Sequence, residues 1–153
     1  MFSFLKKKKS HLFSPTNGML IPLSQVNDPV FAQGMMGPGC AIQPESDTIY
    51  SPIEGTVTSI FPTKHAISLT TNDGKALLLH IGIDTVDLDG LGFNILVSEN
   101  QSVTPETLLA TFDRQLLKEK GKEDTLMLLF PEEKSTFTMT EKKVSTHDII
   151  LDI

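Results

Sequence analysis

The 153-residue sequence has no tryptophan, one tyrosine and one cysteine, and aromatic residues make up only 7% of it. The lone cysteine, Cys40, excludes an internal disulfide, so an ordinary apolar core has to hold the fold; a reducing cytoplasm is the expected compartment. No apolar run approaches the roughly 20 residues that a membrane-spanning helix needs. The opening "MFSF" is too short for the apolar core of a secretory signal and runs directly into "KKKK", so no leader is expected. Also missing are a Gly-x-x-x-x-Gly-Lys-Ser/Thr loop and a kinase-type glycine loop, which argues against direct use of ATP. Neither His-Glu-x-x-His nor Cys-x-x-Cys occurs, so the standard metal-binding motifs are lacking too.

What remains is ordinary for a globular chain: 39% apolar and 21% charged residues, and a length that suits one domain with a real core. The net charge is −6, unevenly spread. Lys6 to Lys9 carry four of the thirteen basic residues, and the other nine against nineteen acids leave the remainder at −10. An acidic body argues against nucleic-acid binding, which depends on neutralising phosphates. Residues 1 to about 13 read as a flexible basic tail preceding a single domain over 14–153. Its lysine run after Phe2, Phe4 and Leu5 suits at most a weak contact with an anionic membrane surface, worth about 1 kcal/mol per nearby lysine.

Beyond the tail, short β-type segments alternate with Gly, Pro, Asn and Asp. Strands are expected at 55–61, 65–71, 76–83, 125–130, 135–140 and 148–153. The one helix signal is "DRQLLKEKG" (113–121), with Asp113 as N-cap and Gly121 as stop. Asp-Gly within "TNDG" (71–74) predicts a tight hairpin between the second and third of these strands. Many short strands with turns between them imply an all-β sandwich or barrel. A faint repeat supports duplication: "SPTNGMLIPL" begins at Ser14 and "SPIEGTVTSI" at Ser51, so that Gly18 and Gly55 correspond.

The third strand, "ALLLHIGI", contains the residue that most needs explaining. Alternation sends Leu77, Leu79 and Ile81 to one face and Leu78, His80 and Gly82 to the other. His80 thus shares a face with an open Gly82, which leaves room for another molecule and offers a carbonyl to fix the ring tautomer. In the preceding strand Thr63, His65 and Ile67 share a face. Counting outward from Asn72–Asp73 as the two turn residues sets His65 directly opposite His80, with Cβ atoms about 5 Å apart. A neutral imidazole is a nucleophile, and a second imidazole and a hydroxyl beside it stabilise a charged group arriving on it. Phosphoryl transfer through a phosphohistidine fits that constellation, with a donor protein supplying the phosphate. The competing readings are zinc held by His65, His80 and Asp84, and two core histidines bonded to the backbone.

"TKHAISL" followed by "LLLHIGIDTVDLDGLGF" closely resembles the glucose-type EIIA domain of the bacterial phosphoenolpyruvate:sugar phosphotransferase system. The pattern is Thr-x-His-Ala, then His-Ile-Gly-Ile-Asp-Thr-Val and Leu-x-Gly-x-Gly-Phe, and the likeness extends to "SPIEGTV", "AIQP" and "ATFDRQLLKEKG". The resemblance implies a compact antiparallel sandwich of duplicated units and a phosphocarrier that needs no cofactor and has no required metal. It implies that His80 accepts a phosphoryl group on Nε2 from phospho-HPr and passes it to an EIIB domain for sugar uptake. It further implies that His65 stabilises the phosphoryl group, with Thr63 bonded within the pair, the Gly82 carbonyl holding Nδ1–H of His80, and Asp84 bordering the site. Val30, Phe31, Met35, Met36, Phe61, Leu78 and Val86 would form the apolar docking surface.

Two departures stand out. Gly37-Pro38-Gly39 replaces the family's usual Gly-Asp-Gly near the docking face, and the last thirty residues match poorly. With no EIIB cysteine motif and no membrane segment, a free-standing domain that meets its partners in trans is expected. The altered loop motivates one alternative, a regulatory protein that keeps the phosphohistidine site but acts through protein contacts. A zinc-binding hydrolase is the other. His11 and His147 lie outside the constellation, and Cys40 reads as a small packed residue.

Overall fold

A computed structural model describes residues 10–153. The strands are β1 (His11–Phe13), β2 (Gly18–Pro22), β3 (Gly39–Pro44), β4 (Thr48–Tyr50), β5 (Gly55–Ile60), β6 (Ala66–Thr71) and β7 (Ala76–Ile83). They continue with β8 (Phe93–Ile95), β9 (Ser102–Val103), β10 (Leu108–Phe112), β11 (Glu123–Leu129), β12 (Lys142–Val144) and β13 (Ile149–Asp152). Among the described residues, two short helices, α1 (Pro29–Ala32) and α2 (Arg114–Glu119), complete the regular structure along with 3-10 turns at Leu23–Gln25 and Thr85–Leu88. The expected helix is α2, and Asp113 caps it by accepting a hydrogen bond from Leu116 N.

All strand pairs are antiparallel. The large sheet runs β12-β2-β3-β11-β7-β6-β5-β9, and two smaller sheets, β4-β10-β8 and β1-β13, lie apart from it in hydrogen bonding. The large order reads the same from either end once β12 matches β9, β2 matches β5, β3 matches β6 and β11 matches β7. A pseudo-twofold axis therefore passes between β11 and β7. The Ser-Pro repeat is its local signature: Ser14 Oγ donates to Thr16 O at 2.7 Å, and Ser51 Oγ donates to Ile53 O at 2.6 Å. Reciprocal backbone bonds tie the copies together, Phe13 N to Pro52 O (2.7 Å) and Tyr50 N to Pro15 O (2.8 Å). The duplication expected from the two turns is present.

Period-2 alternation divides the core as β-sheet geometry requires. Leu77, Leu79 and Ile81 of β7 pack with Ile67, Leu69, Leu126 and Leu128, and with Ile49, Leu109 and Phe112 of the smaller sheets, in the main core. Leu78, Ala66, Ala41, Met127 and Leu129 face the other way, under Leu23, Val26 and Phe31 of the β2–β3 connection. Each fully buried Leu or Ile contributes roughly 1.5–3 kcal/mol relative to exposure. These two layers fix β7 from both sides.

Several expectations need correction. His11–Phe13 is strand β1, paired with β13, and Leu12 is fully buried, so the tail does not extend to residue 13. The Lys6–Lys9 run lies outside the described residues. Residues 135–140 form no strand; Phe137 and Met139 pack against the main core from an irregular segment. The β6–β7 hairpin has a three-residue loop, Asn72–Asp73–Gly74, because Thr71 N donates to Lys75 O (2.9 Å) and Gly74 takes φ 92°. That shifts the register by one and sets Ala66, not His65, opposite His80. Ile67 accordingly faces the main core rather than sharing a face with the histidines.

Candidate functional site

His80 lies in the middle of the large sheet, on β7, flanked by Ala66 of β6 and Met127 of β11. Its ring stands on the face away from the main core and is only partly buried. The chain turns sharply two residues later. Gly82 has φ 79°, and a Cβ there would lie 2.4 Å from Thr85 Cγ2 and 2.8 Å from the Glu123 carbonyl oxygen. Glycine is therefore demanded by conformation and by packing from within the chain. The expectation that Gly82 leaves space for an incoming molecule is wrong, since Thr85 and β11 fill that space. Its carbonyl does what was expected: Nδ1–H of His80 donates to Gly82 O at 2.8 Å. With Nδ1 committed, Nε2 is the nitrogen with a free lone pair. Thr85 steadies the turn by donating its hydroxyl to Ile81 O.

His65 reaches the same place by a different route from the one expected. It immediately precedes β6, after Lys64 in left-handed conformation (φ 62°), so strict strand alternation no longer dictates its direction. Ile81 N donates to His65 O at 2.7 Å, which anchors its backbone to β7. The two imidazole centroids are 5.0 Å apart with planes at 75°. Thr63 Oγ1 and His65 Nδ1 share a 2.6 Å hydrogen bond, which holds the ring by one nitrogen and leaves its Nε2 side free. His65 is 6% exposed, so most of its surface is already packed.

Aromatic rings frame the pair. Phe31 of α1 lies 4.8 Å from His80, and Phe61 lies 5.5 Å from His65. Burial, reinforced by the neighbouring His65, lowers the pKa of His80 to about 4 against weaker upward pulls from the Gly82 carbonyl, Asp28 and Asp84. Burial also lowers that of His65. Both rings are therefore neutral at pH 7.

Val30, Met35, Met36, Phe61 and Val86 are exposed apolar side chains; the first three lie on the connection that carries Phe31, Phe61 packs on His65, and Val86 follows Asp84 closely in the chain. Leu78 and Phe31 are not surface groups: at 8% and 7% exposure they pack in the second core layer. Asp84, itself in left-handed conformation (φ 59°), is exposed beside the turn that carries Val86. Sequence reasoning missed Asp28, whose charge also acts on His80. Its carboxylate accepts from Val30 N at 2.9 Å and caps α1, and an Asp followed directly by Pro was the readable signal. Among the described residues, no group of three or more His, Cys, Asp or Glu side chains is placed to hold a metal. The zinc reading thus lacks a third ligand. His11 pairs with Asp152 (2.6 Å) and His147 packs edge-on against Tyr50 (5.0 Å), both within other parts of the fold.

Fold and site together define a duplicated antiparallel β-sandwich domain with one two-histidine site beside its pseudo-twofold axis. Residues 10–136 match the family described as phosphoenolpyruvate-dependent sugar phosphotransferase system, EIIA 1. The chain is 44% identical over 125 residues, 82% of its length, to the glucose-specific EIICBA component of Streptococcus pneumoniae, of which this is 17%. It is 43% identical over 110 residues, 72% of its length, to the glucose-specific EIIA component of Halalkalibacterium halodurans, covering 64% of that protein. Against the beta-glucoside-specific EIIBCA component of Bacillus subtilis identity is 44% over 110 residues, again 72% of this chain but 18% of the relative. The chain thus spans from under a fifth to just under two thirds of the length of these three curated relatives. Among solved structures, glucose permease IIA from Mycoplasma capricolum superposes with a TM-score of 0.81 at 34% identity, covering 98% of this chain and 97% of that one. The chain belongs to the EIIA 1 family of the phosphoenolpyruvate-dependent sugar phosphotransferase system. Among the described residues no helix is long and apolar enough to cross a membrane.

Proposed function

We propose that the chain is a phosphocarrier for sugar uptake, accepting a phosphoryl group from phospho-HPr on His80 Nε2 and delivering it to an EIIB domain. One observation carries this reading: the 2.8 Å bond from Nδ1–H to Gly82 O commits that nitrogen and leaves Nε2 of the neutral ring unprotonated. The Nε2 lone pair forms the new N–P bond while the donor's bond to phosphorus breaks and its electron pair returns to the donor. His65, 5.0 Å away and braced by Thr63, is positioned to donate an N–H to the phosphoryl oxygens. Asp28 and Asp84 contribute negative field at the rim, which holds off a second anion and favours a partner with basic groups beside its own reactive residue. Val30, Met35, Met36, Phe61 and Val86 supply the apolar contact that excludes water during transfer. A sugar transporter of the glucose or beta-glucoside type fits the relatives named above.

The test is incubation with labelled phosphoenolpyruvate, Enzyme I and HPr. Acid-labile label on the wild-type chain and none on His80→Ala is the expected result. The His65→Gln variant should still take label but lose roughly 10²-fold in onward transfer to EIIB. Label that survives in His80→Ala sinks the proposal. Labelling with no transfer to any EIIB favours the regulatory alternative.

A further inference from the structure

Five of the six methionines lie among the described residues, and these five are unequally placed. Met127 is fully buried on β11, and Met19 and Met139 are partly buried. Met35 and Met36 are 71% and 38% exposed, adjacent in sequence, and lie in the turn that follows α1. Backbone bonds lock that turn to the site: Gly34 N donates to Phe31 O (3.0 Å) and Met35 N to Val30 O (3.1 Å), and the Phe31 ring lies against His80. Among the described residues the one thiol is that of Cys40, fully buried and pushed up to about 12 by burial. A thiol so placed presents almost no thiolate to an oxidant. Met35 and Met36 are therefore the most exposed thioethers among the described residues, on the same connection that sets Phe31 against His80.

We propose that Met35 and Met36 form a reversible oxidation site that takes oxygen from a peroxide and thereby weakens docking at the His80 rim. The proposal rests on the docking role given to that rim in the phosphocarrier reading. In each step a thioether lone pair attacks one peroxide oxygen and the O–O bond breaks. Sulfur is oxidised by two electrons to the sulfoxide, and the leaving hydroxide picks up the remaining proton as water. The product replaces a flexible apolar contact with a strongly polar S=O group, which resists desolvation against an apolar partner surface. His80 itself is untouched. The lesion would thus lower the rate of phosphoryl exchange between proteins without altering the nucleophile, and a sulfoxide reductase would restore it.

The test treats the full chain with hydrogen peroxide, maps oxygen addition at each methionine by peptide mass spectrometry, and measures the second-order rate of phosphoryl acceptance from phospho-HPr. Met35 and Met36 should oxidise well before Met19, Met127 and Met139. The acceptance rate should fall roughly five- to ten-fold, as expected for adding polar groups at an apolar contact, and recover on reduction by methionine sulfoxide reductase. The double variant Met35→Leu, Met36→Leu, compared with itself before and after peroxide, should lose nothing. Equal oxidation of Met19, Met127 and Met139, an unchanged rate after oxidation at both sites, or the same loss in the double variant would overturn the proposal. A chain that takes no label before peroxide treatment overturns the phosphocarrier reading and this proposal together.

Discussion

At His80 the proton is governed by opposing influences of unequal size. Burial and the neighbouring His65 push the pKa down to about 4, while Gly82 O, Asp28 and Asp84 pull it upward less strongly. A ring protonated at neutral pH would have no lone pair on Nε2, so burial serves the chemistry directly. Phosphoryl acceptance should therefore hold steady from about pH 8 to about pH 5 and fall as the pH approaches 4, where an ordinary histidine would fail near its usual value of 6.5. The stability consequence has the same origin. The unfolded ring titrates at its ordinary 6.5 and the folded one near 4, so between those values the unfolded chain binds more protons. Stability is full above 6.5, drops as pH falls through that window, and His80→Gln should flatten the dependence in urea titrations. A pH–rate profile breaking near 6.5 would contradict the burial described for the ring.

At the scale of elements, the repeated Ser-Pro-x-x-Gly segment explains how the two halves meet. A Cβ on Gly18 would lie 2.2 Å from Gln43 O, and one on Gly55 2.0 Å from Thr70 O. Both glycines let a strand approach its neighbour's backbone at the same point of the duplicated unit. Alanine at either position should cost about 2 kcal/mol or more, read as a lower denaturation midpoint, because rigid backbone has to move. Substitutions without effect would mean that the repeated turn is not a close contact. Such turns were legible in the sequence, as were β5, β6, β7, β11, β13 and α2, because apolar alternation and an Asp cap are local signals. The hairpin register was not. Two-residue and three-residue loops differ here through Thr71, whose hydroxyl binds the Asp73 carboxylate and accepts from Lys75 N (2.8 Å). Residues 135–140 misled for another reason: alternation there reflects Phe137 and Met139 docking on the core, and a strand also needs a partner edge.

For the whole molecule, the histidine pair breaks a symmetry. Exchanging β7 with β11 carries the Met127–His80 pair onto Leu78–Leu129, so one half holds an imidazole where the other holds leucine. The connections differ as well. The β5–β6 turn, residues 61–65, is short and delivers Thr63 and His65, whereas the β2–β3 connection, residues 23–38, is long and delivers Asp28, Val30, Phe31, Met35 and Met36. A duplicated sandwich thus gives a rigid frame, and unequal loops make one reactive site on it. The sequence motif pointed to the two histidines and to Gly82, while Asp28 and the buried standing of Leu78 and Phe31 depended on how that long connection folds back. The central claim, that the geometry reserves Nε2 of His80 for the phosphoryl group, is tested most directly by 15N and 31P NMR of the histidine-labelled chain. Before phosphorylation Nδ1 of His80 should carry the proton, and afterwards the phosphorus should couple to Nε2 of that ring. A phosphoryl group found on Nδ1, or on His65, His11 or His147, would contradict it.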